Sequence, residues 1–235
     1  MTNLWWLSLF GVVGLFILLK HLNSLSHHSI VKAITNPVFL AIVIIALLLV
    51  LLKQPYPQFS QHTQLLSWLL EPAIVALAIP LYQQFVHIRK NALLILISCT
   101  VGIINATVIG TLLGVIFAVP KTLAASVAAL SVTTPVTLLV TDSLGGIASL
   151  AAAMVIFIGL LGALFGFILL RMVGIYHHQA QGIAIGTACH AIGTAAALNK
   201  HTSIGAYASV AMALSALLTA LIVPWLYPFL SQALL

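Results

Sequence analysis

Apolar residues run along this chain in long blocks broken by short polar connections. Leu4 to Leu19, Pro37 to Leu52, Leu65 to Phe85, Asn91 to Val119, Ser149 to Met172 and Ser203 to Tyr227 approach or exceed the roughly 20 residues a helix needs to cross a bilayer. They do not alternate apolar with polar positions, so they do not read as strands of a membrane β-barrel. Two further blocks, Pro120 to Thr141 and Gly182 to Lys200, are instead rich in Ala, Gly, Ser and Thr. The pattern predicts an all-α, polytopic membrane protein of about seven or eight transmembrane segments, two of them broken or re-entrant. One integral domain, 1–235, is expected.

The two unusual blocks carry the candidate chemistry. In Ser131-Val-Thr-Thr-Pro-Val-Thr137 the proline removes an amide donor and frees a carbonyl, and Thr133, Thr134 and Thr137 bring hydroxyls that can satisfy it. The second block holds Gly182, Gly186 and Gly193 with His190 between them. Glycine weakens a helix by about 1 kcal/mol relative to alanine, and an ionisable side chain at membrane depth is read as functional by default. Each block follows a long glycine-bearing span, which raises an internal repeat of 91–141 and 149–200. Paired interrupted segments in two halves point to a transporter site near mid-membrane.

Elsewhere, Ala106, Gly110 and Gly114, and again Gly159, Gly162 and Gly166, form small-residue faces for close helix contact or self-association. Asn105 is a candidate solute ligand or an interhelical hydrogen-bonding group. Trp5 and Trp6 sit like an interfacial belt, and Asn3 to Leu19 reads as a retained helix rather than a cleaved signal. Lys53 to Phe59 is expected to turn, with its prolines extended. Pro224, Trp225 and Pro228 are expected to close the last span.

Composition sharpens the class. Of 235 residues 63% are hydrophobic and 4% charged, against about 25% charged in soluble domains. The net charge of +6 comes from Lys and Arg scattered over the connections, as membrane loops expect, and implies no nucleic-acid partner. With eight full crossings, the loop bias places both termini outside the cytoplasm. Cys99 and Cys189 have no CxxC partner and read as buried small residues. His21, His27 and His28 lack accompanying Cys, Asp or Glu, so no metal is expected. No nucleotide, calcium or protease motif is present, so neither a cofactor nor an enzyme is expected.

Four stretches carry a family resemblance: EPAIVALAIPLY from Glu71, SVTTPVTLLVTDSLGG from Ser131, GIAIGTACHAIGTAAAL from Gly182 and GAYASVAMALSALLTALIVP from Gly205. Between about Asn36 and Pro224 the chain resembles the LrgB/CidB family of bacterial inner-membrane proteins. More distantly it is similar to the plastidal glycolate/glycerate translocator. The resemblance implies one of two functions. One is transport of a small monocarboxylate such as pyruvate, glycolate or glycerate. The other is holin-like control of murein hydrolase export and autolysis with an LrgA/CidA-type partner. The chain departs from the family pattern at Leu130, Gln181 and Ala196-Ala197, where basic residues are usual, and at Glu71, where glycine is usual.

The physical reading favours transport. Half-helix N-termini at Thr133-Thr134 and Gly193-Thr194 can hold a carboxylate through free N–H groups without an arginine. His190 can donate a hydrogen bond or carry a coupled proton, or else simply bond a neighbouring helix. Asp142 and Glu71 read as helix caps or as proton or gate residues. The expected partners are the bilayer, a small organic anion, an LrgA/CidA-type protein and further copies of this chain.

Overall fold

The computed structural model describes residues 4–25, 35, 37–69, 72, 75, 82 and 85–234. All regular structure among them is helical, in two compact units, Met1–Ala76 and Leu77–Leu235.

The first unit holds α1 (Leu4–Leu25), α2 (Pro37–Leu51), α3 (Tyr56–His62) and α4 (Gln64–Trp68). α1 continues past Leu19 because Lys20 to Leu25 adds no helix breaker; Asn23 then donates its amide to the Thr35 carbonyl at 2.8 Å. The turn expected over Lys53 to Phe59 is shorter. Pro55 is extended, but Pro57 sits in the first turn of α3, where its missing N–H is no loss. Most of Leu65 to Phe85, including Glu71 and Pro80, lies outside the described residues.

The second unit holds α5 (Phe85–Ile116), α6 (Lys121–Ser126), α7 (Thr134–Ser143), α8 (Ala148–Met172), α9 (His178–Lys200) and α10 (Thr202–Leu234). Among the described residues α1, α5, α8 and α10 are long and apolar enough to cross a membrane. The expected close of the last span at Tyr227, by Pro224, Trp225 and Pro228, is not made: α10 runs through both prolines to Leu234. Proline is tolerated inside a membrane helix when neighbouring groups re-satisfy the carbonyls it frees four positions earlier, here those of Ala220 and Pro224.

The two small-residue blocks double back. From Ala124 the chain descends along α5: a Cβ on Gly114 would lie 3.3 Å from Ala124 Cβ, and one on Gly110 3.4 Å from the Val127 carbonyl oxygen. The Thr107 hydroxyl donates to the Ala128 carbonyl at 3.1 Å. Residues 127–133 are non-helical, and α7 leads back until the Ile147 amide donates to Ser126 Oγ at 2.7 Å. In the unwound stretch Thr137 Oγ1 donates not to the Ser131 carbonyl that Pro135 frees but to the Ala129 carbonyl, at 2.8 Å. Thr137→Val is expected to lower stability by about 1–3 kcal/mol, because it orphans that buried carbonyl; a thermal melt in detergent checks it.

α9 folds back at His190, where the backbone leaves helical geometry at φ 39°, ψ −135°. A Cβ on Gly193 would lie 3.4 Å from the Ile185 carbonyl oxygen, although eight positions of straight helix span about 12 Å. The rings of His178 and His201 are 4.2 Å apart, where a straight helix would separate them by about 34 Å. Residues 178–200 are therefore a re-entrant hairpin with its roots together and its tip at His190.

Candidate functional site

The hairpin tips come from opposite ends of α5. Asn91, at the start of α5, donates its amide to the Tyr207 hydroxyl at 3.4 Å, so the roots of the second hairpin and the start of α10 share that end. From there Ile183 packs with Ile95, and Thr187 Oγ1 lies 3.3 Å from Cys99 Sγ. A Cβ on Gly102 would meet Thr187 Cγ2 at 2.8 Å. The first hairpin arrives from the other end, where Tyr227 donates its hydroxyl to the Lys121 carbonyl at 3.2 Å.

The tips meet one groove. A cavity of about 640 Å³ is lined by Gly102 and Ala106 of α5, Ser131 of the first tip, and Thr187 and Ala188 of the second, and it reaches Gln179 and His177 at the root. Its wall is mostly apolar, with polar groups from Ser98, Ser131, Thr187, Gln179 and His177. Pockets for small molecules are commonly built this way, apolar with a few placed polar groups.

Around the tips several buried polar atoms have no protein partner. Thr133 is 8% exposed, Thr194 5% and His190 3%, and Thr133 Oγ1, Thr194 Oγ1 and His190 Nε2 make no hydrogen bond to the chain. Thr133 is the N-cap residue of α7, yet its hydroxyl caps nothing. The His190 ring lies against α8, where a Cβ on Gly159 would stand 2.6 Å from its Cε1. Native structures pair the great majority of their buried polar groups, so these atoms are open to a hydrogen bond with a group outside the chain, whether water or a solute.

Thr133, His190 and Thr194 are buried beside the tips and are not among the residues lining the groove, and the other expected site residues fall elsewhere too. Thr134 opens α7 and is half-buried. Thr137 is committed to the backbone. Gly193 packs inside the second hairpin, against Cys189 and Ile185. Asn105 faces outward on α5, and Asp142 is exposed in the last turn of α7. Glu71 lies outside the described residues. The polar residues that do line the groove, Ser98, Ser131, His177, Gln179 and Thr187, were not singled out as site residues by the spacing. Thr187 lies three positions before His190, on the same half-helix. Ser215 and Thr219, an i,i+4 pair in α10, also keep buried unpartnered hydroxyls. Of the positions where a cation was expected, Gln181 is buried at the hairpin root and donates its amide to the Ile175 carbonyl at 2.8 Å.

The glycine faces are filled from within. Gly159, Gly162 and Gly166 meet His190, Cys189 and Ile185, while Gly110 and Gly114 meet the first hairpin. These stripes therefore receive the chain's own hairpins, which removes them as faces for another copy.

Spans flanking two opposed re-entrant hairpins define a polytopic helical membrane protein. The profile of the LrgB-like family matches residues 13–229, and the chain belongs to that family. It is 32% identical over 222 residues to the Bacillus subtilis protein YwbG, covering 94% of this chain and 99% of that one. A Haemophilus influenzae protein is 31% identical over 194 residues, 83% of this chain and 84% of its own length. The antiholin-like protein LrgB of Bacillus mycoides is 28% identical over 221 residues, with 94% and 96% covered. No solved structure matches.

Proposed function

We propose that this protein carries a small organic anion, such as pyruvate, glycolate or glycerate, across the bacterial inner membrane. The observation that supports it most is the set of buried, unpartnered groups at the two hairpin tips: Thr133 Oγ1, His190 Nε2 and Thr194 Oγ1. Both outgoing half-helices, α7 and residues 191–200, begin at these tips. Each presents free N–H groups and about half a positive charge to the interior. A carboxylate fits that field without an arginine, and hydroxyls plus an imidazole supply directional donors. Gln181, bound to the hairpin root, stands apart from this field. The family's usual cation there is therefore not required for the proposed contacts.

The relatives named antiholin-like support a second reading, a holin-like regulator of murein hydrolase export acting with an LrgA/CidA-type protein, or as a homo-oligomer. A pore made by self-association wants free small-residue faces. The described stripes are taken up by the hairpins, which favours the carrier.

Uptake of labelled two- and three-carbon acids into vesicles containing the purified protein tests the proposal. Thr133→Val and Thr194→Val keep side-chain shape and delete an unpartnered hydroxyl. Each should leave the melting temperature unchanged or higher, and weaken apparent affinity about tenfold, the value of a hydrogen bond to a charged group. Full uptake in both variants would place the path elsewhere. Running the assay with an imposed pH gradient shows whether His190 also carries a proton.

A further inference from the structure

α5 and α8 run in opposite directions between the same two ends. α5 starts at the end marked by Asn91 and Tyr207 and finishes beside Lys121. α8 starts where Ile147 meets Ser126 and finishes at Arg171. Each span is followed at once by a hairpin that enters from the end just reached.

Each hairpin also lies on the small-residue stripe of its own span, in the same register. Along the first, Ala124 meets Gly114, Val127 meets Gly110 and Ala128 meets Thr107. Along the second, Ile185 meets Gly166, Cys189 meets Gly162 and His190 meets Gly159. In both, advancing along the hairpin means retreating along the span by about one helical turn per step. Both contact series lead to a tip that carries an unpartnered polar atom, Thr133 Oγ1 at the first and His190 Nε2 at the second.

The two ends differ in charge. In the second unit Arg89, Lys90, Arg171 and Lys200 lie at the roots of the second hairpin, with His177, His178 and His201. Lys200 Nζ sits 3.7 Å over the Phe167 ring, one turn from Arg171. The opposite end has Lys121 and Asp142, whose charges cancel. Lys and Arg in short loops collect on the cytoplasmic side. The groove runs from that basic end, at His177, to Ser131. Beyond Ser131, Ala124, Ala128, Val140, Val223 and Tyr227 pack into a closed core.

We infer that residues 85–143 and 148–200 are inverted copies of one span-plus-hairpin unit, with the 178–200 hairpin gating the cytoplasmic side and the 121–143 hairpin gating the outer side. The structure is then the cytoplasm-facing state, with the groove as its access path and the basic rim drawing anions toward it. Inverted repeats give alternating access because the same packing, exchanged between the copies, opens the other side. The inference rests on the carrier reading for the meaning of the gates, but the sidedness stands apart from it.

Single-cysteine labelling tests it in a Cys99→Ser, Cys189→Ser background. Membrane-impermeant thiol reagents are applied to inside-out and right-side-out vesicles. Gln179→Cys and Ser131→Cys should label from the cytoplasmic side and not from outside, and Ser143→Cys from outside and not from the cytoplasm. Labelling of Gln179→Cys from outside, or of Ser131→Cys from outside, from both sides or from neither, overturns the inference. A second measurement needs no substitution. α10 runs from the basic end to the other, so alkaline phosphatase fused after residue 235 should be active and a fluorescent protein fused there dark; the reverse pair overturns the orientation. Neither experiment depends on flux. Correct sidedness without uptake would sink the carrier and leave the orientation, and uptake with the wrong sidedness would do the opposite.

Discussion

Gly186→Ala should be among the most damaging single-methyl additions in the second unit. A Cβ there would run into the Ala208 carbonyl oxygen and stand 2.8 Å from Ala208 C and Cα. These are backbone atoms, so no rotamer change relieves the clash and the hairpin must lift off α10. The neighbouring turn resists, because Gly182 makes the same close approach to the Ile204 carbonyl oxygen and the Ala208 amide. Overpacking a tight contact typically costs about 1–3 kcal/mol and sometimes more; Gly186→Ala belongs at the upper end. The control is Gly14→Ala in α1, where nothing stands within 4 Å. That change should be neutral or stabilising by up to about 1 kcal/mol, since alanine favours helix over glycine. Thermal melts of both in one detergent check the pair. Equal melting temperatures would mean that the hairpin does not pack on α10 at backbone distance.

The same contacts explain how far the sequence could be read. The spans were legible because apolar length alone decides them, and the glycine stripes because small residues at four-residue spacing serve close approach. The break in the second block was legible too, from glycine density around one histidine. What the sequence does not carry is which faces meet. Gly159 to Gly166 look equally suited to a second copy or to the chain's own hairpin, and only the backbone reversal at His190 brings the hairpin onto them. Asn105 failed as a groove residue for the same reason. A single polar group on an apolar span carries no record of which side its neighbours occupy, and the hairpins line the face bearing Gly102 and Ala106. Thr187 was passed over because a threonine beside glycines reads as filler until Cys99 and Gly102 are placed against it. Pro224 misled because proline ends helices in water, whereas neighbouring groups satisfy the freed carbonyls in a membrane.

His190→Gly and His190→Ala should reverse the usual order of helix stabilities. Both remove the imidazole and leave the same gap beside Gly159, so their difference isolates the backbone. At φ 39°, ψ −135° any side chain crowds the main chain, a strain worth about 1–3 kcal/mol that glycine escapes. In an ordinary helix interior glycine is instead worse than alanine by about 1 kcal/mol. The glycine variant should therefore melt above the alanine variant. The opposite order would mean that the chain runs straight through position 190, with no hairpin tip there. Uptake separates the second question from the first. Strain held by a non-glycine residue persists where the surroundings over-determine it and clusters at ligand clamps and switches. If the strain aims Nε2 at a bound anion, both variants lose that hydrogen bond, and apparent affinity falls about tenfold to a hundredfold. A glycine variant that is more stable than the alanine one, and still transports as well as the parent, would keep the hairpin and remove His190 from the path.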